Sequence, residues 1–261
     1  MQNIFANFKK KRNLEDKLKA KELSDVERFN NILKFANEIL MEKTYEGKEH
    51  PIFDFIRILG RGLQSDYLKY VIYYDCKGGE YEVPDLCWDT IGFEDNMKIV
   101  GVNGESIDFY KLIKEIQCNK KLELSKDLIL PWPWHRERLL STIKNIGNGR
   151  LWGEWKQDYT NHIVDVWLPM GIAWVHGGNH SITMGIVQGG ELKPEIYSDI
   201  SEVYKHVYCD GKNYMRFRTN DVIKNKIICP VKNVDFAAIF EIGRLLGERG
   251  ISFKDCIVKD V

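Results

Sequence analysis

The chain of 261 residues has no excess of charge of either sign, because 38 lysines and arginines balance 38 aspartates and glutamates. A neutral chain has no overall attraction to nucleic acid or to an anionic membrane surface, so nucleic-acid binding would need a local basic patch. The basic cluster Lys9–Arg12 leads directly into mixed Lys/Glu sequence, and we interpret it as the solvated start of a helix. No apolar run reaches the roughly eighteen residues that span a bilayer, so no membrane segment is predicted.

The sequence also lacks paired cysteines. Its six cysteines include no C-x-x-C pair and lie at Cys76, Cys87, Cys118, Cys209, Cys229 and Cys256. The N-terminus has no apolar core of the kind found in signal peptides. These absences predict reduced thiols and a cytoplasmic protein without a disulfide framework.

The first part of the chain carries structural signals and no catalytic constellation, and we predict an N-terminal helical and hairpin region over residues 1–122. The capping box Ser24–Glu27 opens a helix over about 25–43. Pro51 opens a second helix, which is predicted to end near Gly60.

Shorter elements are predicted on both sides of this boundary. A hairpin is expected from the strands "YVIYYD" and "EYEV" around the turn Lys77–Gly79, and Ile107, Tyr110, Ile113 and Ile116 at helical spacing predict a helix over 107–116. In the second region, 123–261, the segment 197–211 has a helical pattern, and a final helix begins near Val234.

The order of elements from Leu128 onward is more distinctive. The stretch "LILPWPWHRERLLSTIKNIGNG" predicts a strand, a turn with two prolines and a helix. The stretches "HIVDVWL" and "GIAWV" predict two strands, and "WVHGGNHS" then leads into a second helix and the strand "ELKPEIY".

This order resembles the core of the ParB/sulfiredoxin-like superfamily over roughly residues 125–200. In that family a segment of the kind I-x-P-N-P-x-x-x-R precedes the first helix, and a D-G-x-H-R or G-G-C-H-R box starts the next. The corresponding segments here are Leu130–Pro133, with Arg136 or Arg138 nearby, and Gly177–Ser181. The resemblance implies an α+β fold, a ParB/sulfiredoxin-like mixed α/β core with an N-terminal helical region and a C-terminal helix.

The two glycines of this box have a chemical use. They let the backbone approach a ligand and adopt positive φ, and the N–H groups at the following helix start attract an anion such as phosphate. A tight strand-to-helix turn without a ligand is the alternative, and it stays open. Both interpretations predict a turn at His176–Ser181, with Asn179 or Ser181 capping a helix that runs to about residue 187.

The box departs from the family pattern at two positions. Asn179 stands where sulfiredoxins carry their reactive cysteine, so sulfinic-acid repair is not expected. Ser181 stands where the box usually carries an arginine that binds phosphate. A nucleotide would therefore be held by backbone amides, by His180 and by a basic residue from elsewhere, for which the candidates are Arg136, Arg138 and Arg150.

A protein-only metal site is not favoured by the histidine pattern. His176 and His180 are four residues apart, but one precedes the turn and the other starts the helix, so they do not share a helical face. His162, Asp165 and His135 would complete such a site only through the fold. The cofactor that we predict is Mg²⁺ carried by nucleotide phosphates, near Asp165 or Glu137.

Tryptophan is concentrated in one segment, which contains Trp132, Trp134, Trp152, Trp155, Trp167 and Trp174. These rings belong to a core or a partner groove, or they form a platform on which a base stacks. Trp152 and Trp155 lie in a Gly/Asn-rich stretch and are predicted to be on a loop near the site.

Two functions are consistent with these observations. The first is a ParB-like protein that binds a nucleotide and hydrolyses it or a phosphodiester bond, as in phage, mobile-element or bacterial defence systems. Its catalytic residues would be His180 and His176, and its ligand-binding residues Gly177, Gly178, Asn179, Ser181, Arg136, Arg138 and Trp152. The second is a non-catalytic module that senses a nucleotide or binds a protein partner through the tryptophan-rich face.

Overall fold

The computed structural model describes residues 23–43, 48–73, 93 and 97–253, and these form a mixed α+β fold, as predicted. The helices are α1 (Asp25–Ile39), α2 (Ile52–Tyr73), α3 (Arg136–Asn145), α4 (Asn179–Gln188) and α5 (Val234–Glu248). The strands are β1 (Lys98–Val100), β2 (Ser106–Asp108), β3 (Lys114–Glu115), β4 (Leu122–Glu123), β5 (Ile129–Leu130), β6 (Val164–Leu168), β7 (Ile172–Val175), β8 (Glu191–Leu192), β9 (Ile196–Asp199), β10 (Val207–Cys209), β11 (Asn213–Arg216) and β12 (Ile227–Pro230). Short 3-10 helices cover Phe109–Leu112 and Val203–Lys205.

The predicted capping box at the start of α1 is confirmed. The Ser24 hydroxyl oxygen accepts the Glu27 backbone N–H at 3.2 Å, and the Glu27 carboxylate accepts the Ser24 backbone N–H at 2.9 Å. Apolar residues follow at helical spacing, and two of them, Phe29 and Ala36, are buried. α1 packs against α5.

Five strands form the central sheet in the order β3-β9-β6-β7-β5. β6 runs antiparallel to β7 and parallel to β9, and β5 runs parallel to β7. Every residue of β6 and β7 is buried, so these strands are covered on both faces. Strands covered on both faces are apolar along most of their length, which explains why the sequence is so hydrophobic here.

The main core lies between this sheet and α5. The rings of Trp167 and Trp174 pack with centroids 5.2 Å apart, and Trp174 lies 5.6 Å from Phe236 of α5. α1 and α2 also pack against α5. One buried apolar cluster therefore includes residues from both of the predicted regions, 1–122 and 123–261.

The second helix is longer than predicted. α2 passes through Gly60 and continues to Tyr73. A Cβ at Gly60 would overlap the side chain of Leu128, so this glycine makes room for packing and does not end the helix. Tyr70–Tyr73, predicted as part of the hairpin's first strand, is helical. The rest of the predicted hairpin lies outside the described residues.

Two further helices predicted from spacing are wrong. The segment 107–116 forms the end of β2, a 3-10 turn and β3, and the segment 197–211 contains β9, a 3-10 turn and β10. In both segments a strand is hydrogen-bonded into a sheet, β3 onto β9 and β9 onto β6. These tertiary pairings override the local helical spacing.

No helix in the described ranges combines the length and the apolar content that crossing a bilayer requires.

Candidate functional site

A cavity of about 670 Å³ opens beside the turn between β7 and α4. α3 contributes one wall through Arg138, Ser141 and Thr142, and Ile146, which caps the end of the helix, extends this wall. Residues of the segment 152–162 line another side. The predicted site residues that line the cavity are Arg138, Trp152, His176, Gly177, Gly178, Asn179, His180 and Ser181, whereas Arg136 is not among its lining residues.

The predicted strand-to-helix turn is confirmed, since β7 ends at Val175 and α4 begins at Asn179. Gly178 has φ 77° and ψ 21°, in the left-handed region that glycine adopts without steric cost. A Cβ on Gly178 would overlap Cδ2 of His162, and a Cβ on Gly177 would lie 2.5 Å from the Asn161 carbonyl oxygen. The packing of the chain itself therefore requires both glycines.

The predicted side-chain cap of α4 is wrong. Gly178 is the N-cap and makes no side-chain capping hydrogen bond. The Asn179 Oδ1 instead accepts the Trp132 backbone N–H at 2.7 Å, and the Ser181 hydroxyl donates to the Gly178 carbonyl at 3.1 Å. The backbone N–H groups of Asn179, His180 and Ser181 have no acceptor among the residues that the structure describes. Unbonded N–H groups at the positive end of a helix favour an anion.

His180 links the turn to the start of α3. Its Nε2 accepts the His135 backbone N–H at 3.1 Å, and its ring centroid lies 5.7 Å from that of Trp134. Burial, together with the positive charges of Arg138 and His135, lowers the pKa of His180 to about 4. A ring nitrogen that accepts a hydrogen bond carries no proton, so His180 is neutral with its proton on Nδ1. Protonation at Nε2 would break this link, which argues against His180 as the proton-transfer group.

His162 is a residue for which the sequence suggested only a metal-ligand role. Its Nδ1 accepts the Asp158 backbone N–H at 3.0 Å, and its Nε2 lies 2.6 Å from the Ser181 Oγ. Because Nδ1 accepts, the neutral ring carries its proton on Nε2 and donates it to Ser181. Burial lowers the pKa of His162, which favours this neutral form. A histidine in this tautomer does not deprotonate the serine, so the pair is not an activated nucleophile.

Trp155 is on a loop at the cavity, as predicted, but its packing against His162 was not predicted. Its ring stacks on His162, with centroids 5.3 Å apart and planes 9° apart. Trp155 also packs closely on α4 and its C-terminal end. A Cβ at Gly185 would lie 2.9 Å from Trp155 Cε2, and a Cβ at Gly190 would lie 3.0 Å from Cε3. Gly185 and Gly190 thus leave room for the Trp155 ring, as Gly178 does for the His162 ring.

Arg138 and Arg150, the two candidate arginines besides Arg136, have different surroundings. The Arg138 guanidinium lies 5.3 Å from the Trp134 ring centroid, and no carboxylate among the described residues forms an ion pair with it. Arg150 instead donates from Nη1 to the carbonyls of Ile143 and Ile146, at 2.8 and 2.6 Å, at the C-terminal end of α3. Arg138 is therefore the arginine available to an anion in the cavity, and Lys156 is a second cation in its lining.

The tryptophan cluster divides between the core and the cavity. Trp132, Trp167 and Trp174 are buried, whereas Trp134, Trp152 and Trp155 line the cavity. Trp152 is 56% exposed. Its backbone N–H donates to the Asn145 carbonyl at 2.8 Å, which fastens it to the end of α3. An exposed ring on an anchored loop is available for stacking.

The carboxylates at the cavity differ from those predicted to accompany a metal. Asp165 is buried in β6 outside the lining, and Glu137 is exposed 3.9 Å from the His135 Nδ1. The lining instead contains Glu154 and Asp158. In the part of the chain that the structure describes, no three His, Cys, Asp or Glu side chains form a group suited to a metal ion.

The model of a family of unknown function, DUF6710, matches residues 6–253. Neither a search of curated proteins nor a search of solved structures found a significant match.

Proposed function

The chain belongs to the DUF6710 family, whose function is unknown, and from the geometry of the cavity we propose that it binds a nucleotide or another phosphorylated small molecule. The observation that carries the proposal is that Arg138 lines the same cavity as Asn179, His180 and Ser181, the residues at the start of α4 whose backbone N–H groups have no acceptor among the described residues. Its volume of about 670 Å³ is within the range of small-molecule sites.

The phosphate would lie at the start of α4. There the helix dipole and the backbone N–H groups attract negative charge without needing a particular side chain. Arg138 would add a full positive charge. It would supply the guanidinium that the family's box arginine provides, because this chain has Ser181 at the position of that arginine. Arginine also offers two parallel donors to a phosphate, which a lysine cannot do.

The rest of the ligand would lie toward the tryptophans. Trp134 and Trp152 line the same cavity as Arg138, and the Trp152 ring is exposed. Aromatic side chains stack on any nucleobase, and such stacking contributes about 1–3 kcal/mol per base. The proposal therefore favours a nucleotide over inorganic phosphate.

Hydrolysis of the bound nucleotide is the further part of this proposal. The N–H groups at the start of α4 would stabilise charge that develops on a phosphate oxygen. Mg²⁺ carried by the phosphates would have Glu154 and Asp158 as nearby carboxylates and would neutralise phosphate charge. His162 and His180 each use a ring nitrogen to accept a backbone N–H, so binding is better supported than catalysis.

The relation to the ParB/sulfiredoxin-like superfamily belongs to the same proposal. Its support is the order of elements over residues 129–199, which runs strand, proline turn, helix, two strands, glycine turn, helix and the strands β8 and β9. The hydrogen bond from the Trp132 backbone N–H to the Asn179 Oδ1 joins the two segments on which the resemblance rests, which supports the relation. The family match assigns no activity, so ligand binding has to be measured directly.

A thermal-shift panel tests the proposal. ATP, CTP, GTP and their diphosphates would be titrated with and without Mg²⁺, with adenosine, cytidine and guanosine as controls that lack the phosphate. At least one nucleotide should stabilise the protein, by about 2.7 kcal/mol when its concentration is a hundred times Kd. Phosphate release would then be measured for each nucleotide that binds. Pyrophosphate would be added as a phosphorylated ligand without a base, and absence of stabilisation by it and by every nucleotide of the panel would overturn the proposal.

Binding of a protein partner is the second candidate function, favoured by one observation. Leu151 and Trp152 are 83% and 56% exposed, and Leu140 and Ile143 of α3 are also exposed. Contiguous exposed apolar side chains are typical of protein interfaces. Partner binding that survives Arg138→Gln but not Trp152→Ala would favour this candidate.

A further inference from the structure

A second cavity adjoins the first. It has a volume of about 590 Å³ and lies at the C-terminal end of α4, where Gln188, Gly189 and Gly190 line it. Glu154 and Trp155 line both cavities, so the two spaces meet at these residues. α4 has 10 residues and is therefore about 15 Å long. An extended nucleotide with two or three phosphates is of comparable length, so one molecule can reach both cavities.

An arginine of the second cavity is held in place by the end of α3. Arg150 lines this cavity, and its Nη1 donates to the carbonyls of Ile143 and Ile146. A Cβ at Gly147 would lie 3.0 Å from the Arg150 Nε, so the guanidinium is fixed against the backbone of the loop. The Nε and Nη2 groups form one edge of the guanidinium and have no acceptor among the residues that the structure describes. This edge offers two parallel donors to a ligand.

A carboxylate of the same cavity has no partner in the described part of the chain. Glu154 lines the second cavity with Arg150, but no ion pair or hydrogen bond joins the two side chains. An anion in this cavity would be repelled by Glu154 and by the negative end of α4, and a cation would be repelled by Arg150. The charges therefore suit a neutral group that has acceptors for the arginine and donors for the carboxylate.

Guanine is the nucleobase with that arrangement. Its O6 and N7 are adjacent acceptors, and an arginine edge pairs with both of them. Its N1–H and its 2-amino group are adjacent donors, which match the two oxygens of a carboxylate. Adenine has an amino group where guanine has O6, and cytosine and uracil lack two adjacent donors. Stacking on tryptophan tolerates every base, so the choice of base depends on polar groups such as these.

Resting on the proposed binding of a phosphorylated ligand at the start of α4, we propose that this ligand is a guanine nucleotide and that Arg150 and Glu154 select its base. The Arg150 Nε and Nη2 donate to O6 and N7, and the Glu154 carboxylate accepts the N1–H and the 2-amino group. Arg138 and the first N–H groups of α4 hold the phosphates in the first cavity. Asp158, another carboxylate of that cavity, already accepts hydrogen bonds from Thr160.

Calorimetry with base analogues tests this inference without altering the protein. The diphosphates of guanosine, inosine, 7-deazaguanosine and adenosine differ in the base, and pyrophosphate has none. Inosine lacks the 2-amino group and 7-deazaguanosine lacks N7. Each should bind roughly ten- to 150-fold more weakly than GDP, because one hydrogen bond to a charged side chain is lost. ADP mismatches both side chains and should bind more weakly still. Equal affinities for the four diphosphates overturn the inference and leave the proposed function standing.

Glu154→Gln gives a test in which binding is gained. Its amide accepts N1–H and donates to a carbonyl, so xanthosine diphosphate, which has a carbonyl in place of the 2-amino group, should bind this variant more tightly than GDP does. Glu195→Gln, an exposed carboxylate outside both linings, is the matched control and should keep the preference for GDP. Arg138→Gln should weaken GDP and ADP by the same factor, because it acts on the phosphates.

The possible failures are distinguishable. A folded Glu154→Gln variant that still prefers GDP overturns the inference alone, as does a wild-type preference for another base. The analogue series on the wild-type protein decides the question if this variant does not fold. Absence of binding by pyrophosphate and by every nucleotide overturns both the inference and the proposed function.

Discussion

Gly178 leaves the space that the His162 ring occupies, and a Cβ at residue 178 would overlap that ring at Cδ2. The same glycine holds φ 77° and starts α4. One position thus combines a left-handed backbone with a close contact to a neighbouring side chain. The His162 ring is held in that contact from two sides, by the stacked Trp155 and by the Asp158 backbone N–H.

Gly178→Ala should therefore destabilise the protein more than a left-handed conformation alone would. Gly104→Ala is the matched control, because Gly104 has φ 82° with open space around it. Gly104→Ala should cost about 1–2 kcal/mol of unfolding free energy, and Gly178→Ala about 1–3 kcal/mol more because of the overlap. Urea unfolding measures both. Equal losses in the two variants would show that His162 moves aside freely.

The cavity arginine gives the second prediction. If phosphate binds at the start of α4, Arg138→Gln should weaken the affinity for the nucleotide that binds in the panel by about 1.5–3 kcal/mol, or roughly ten- to 150-fold. The neighbouring variant Arg136→Gln removes the same charge from the same helix, outside the cavity lining. It should retain nearly wild-type affinity, and calorimetry on both variants makes the comparison. Equal losses would mean that net charge, and not a contact in the cavity, governs binding.

The sequence was informative where local chemistry decides the structure. The capping box at Ser24, the turn at Gly177–Gly178 and the apolar strands β6 and β7 are each encoded within a few residues. The site was predicted in the same way, because the glycine turn and the nearby basic helix are local signals. Arg138 could not be separated from Arg136 or Arg150 by sequence, because the choice depends on which face of α3 meets the cavity.

What the sequence did not reveal depends on contacts between distant residues. α2 continues through Gly60, where the missing side chain leaves room for Leu128, a residue far along the chain. The segment after Ile196 is a strand because β6 pairs with it. The His162 and Trp155 rings stack on each other, and Gly178, Gly185 and Gly190 leave room for them. No regular spacing in the sequence connects these two aromatic residues.

Cysteine chemistry gives the third prediction. Cys209 is buried in β10, and burial raises the pKa of its thiol to about 12. The thiolate is the reactive species, so iodoacetamide at pH 8 should alkylate Cys209 far more slowly in the native protein than in urea. Cys118 is partly exposed and serves as the internal comparison in the same mass-spectrometric experiment. Rapid native alkylation of Cys209 would reveal an opening of β10.

A related prediction concerns nucleotide binding by six variants, in each of which one cysteine is replaced by serine. None of the cysteines in the described ranges lines the cavity, so single Cys-to-Ser variants that remain folded should keep any nucleotide binding. A folded variant that loses binding while keeping its unfolding free energy would identify a thiol contribution to the site.

The last prediction concerns how the unfolding free energy changes at acidic pH. Folding lowers the pKa of His180 to about 4, through burial first and then through the charges of Arg138 and His135. In the unfolded chain a histidine has a pKa near 6.5, so between about pH 6.5 and 4 the unfolded state binds the extra proton. The unfolding free energy should therefore fall as pH drops through this window, and His162, whose pKa is also lowered by burial, should add to the fall.

His180→Gln isolates the contribution of this one ring. Glutamine does not titrate, and its side-chain oxygen can accept the His135 backbone N–H in place of Nε2. The variant should lose less stability than wild type between pH 6.5 and 4, by up to one proton in the linkage slope, whatever its stability at neutral pH. Urea unfolding at half-unit pH steps, with the m-value held as a check on two-state behaviour, provides the comparison. Parallel profiles for the two proteins would mean that His180 is protonated as readily in the folded protein as in the unfolded chain, so that its link to His135 adds little stability, and the turn would then owe its position to the Asn179–Trp132 contact.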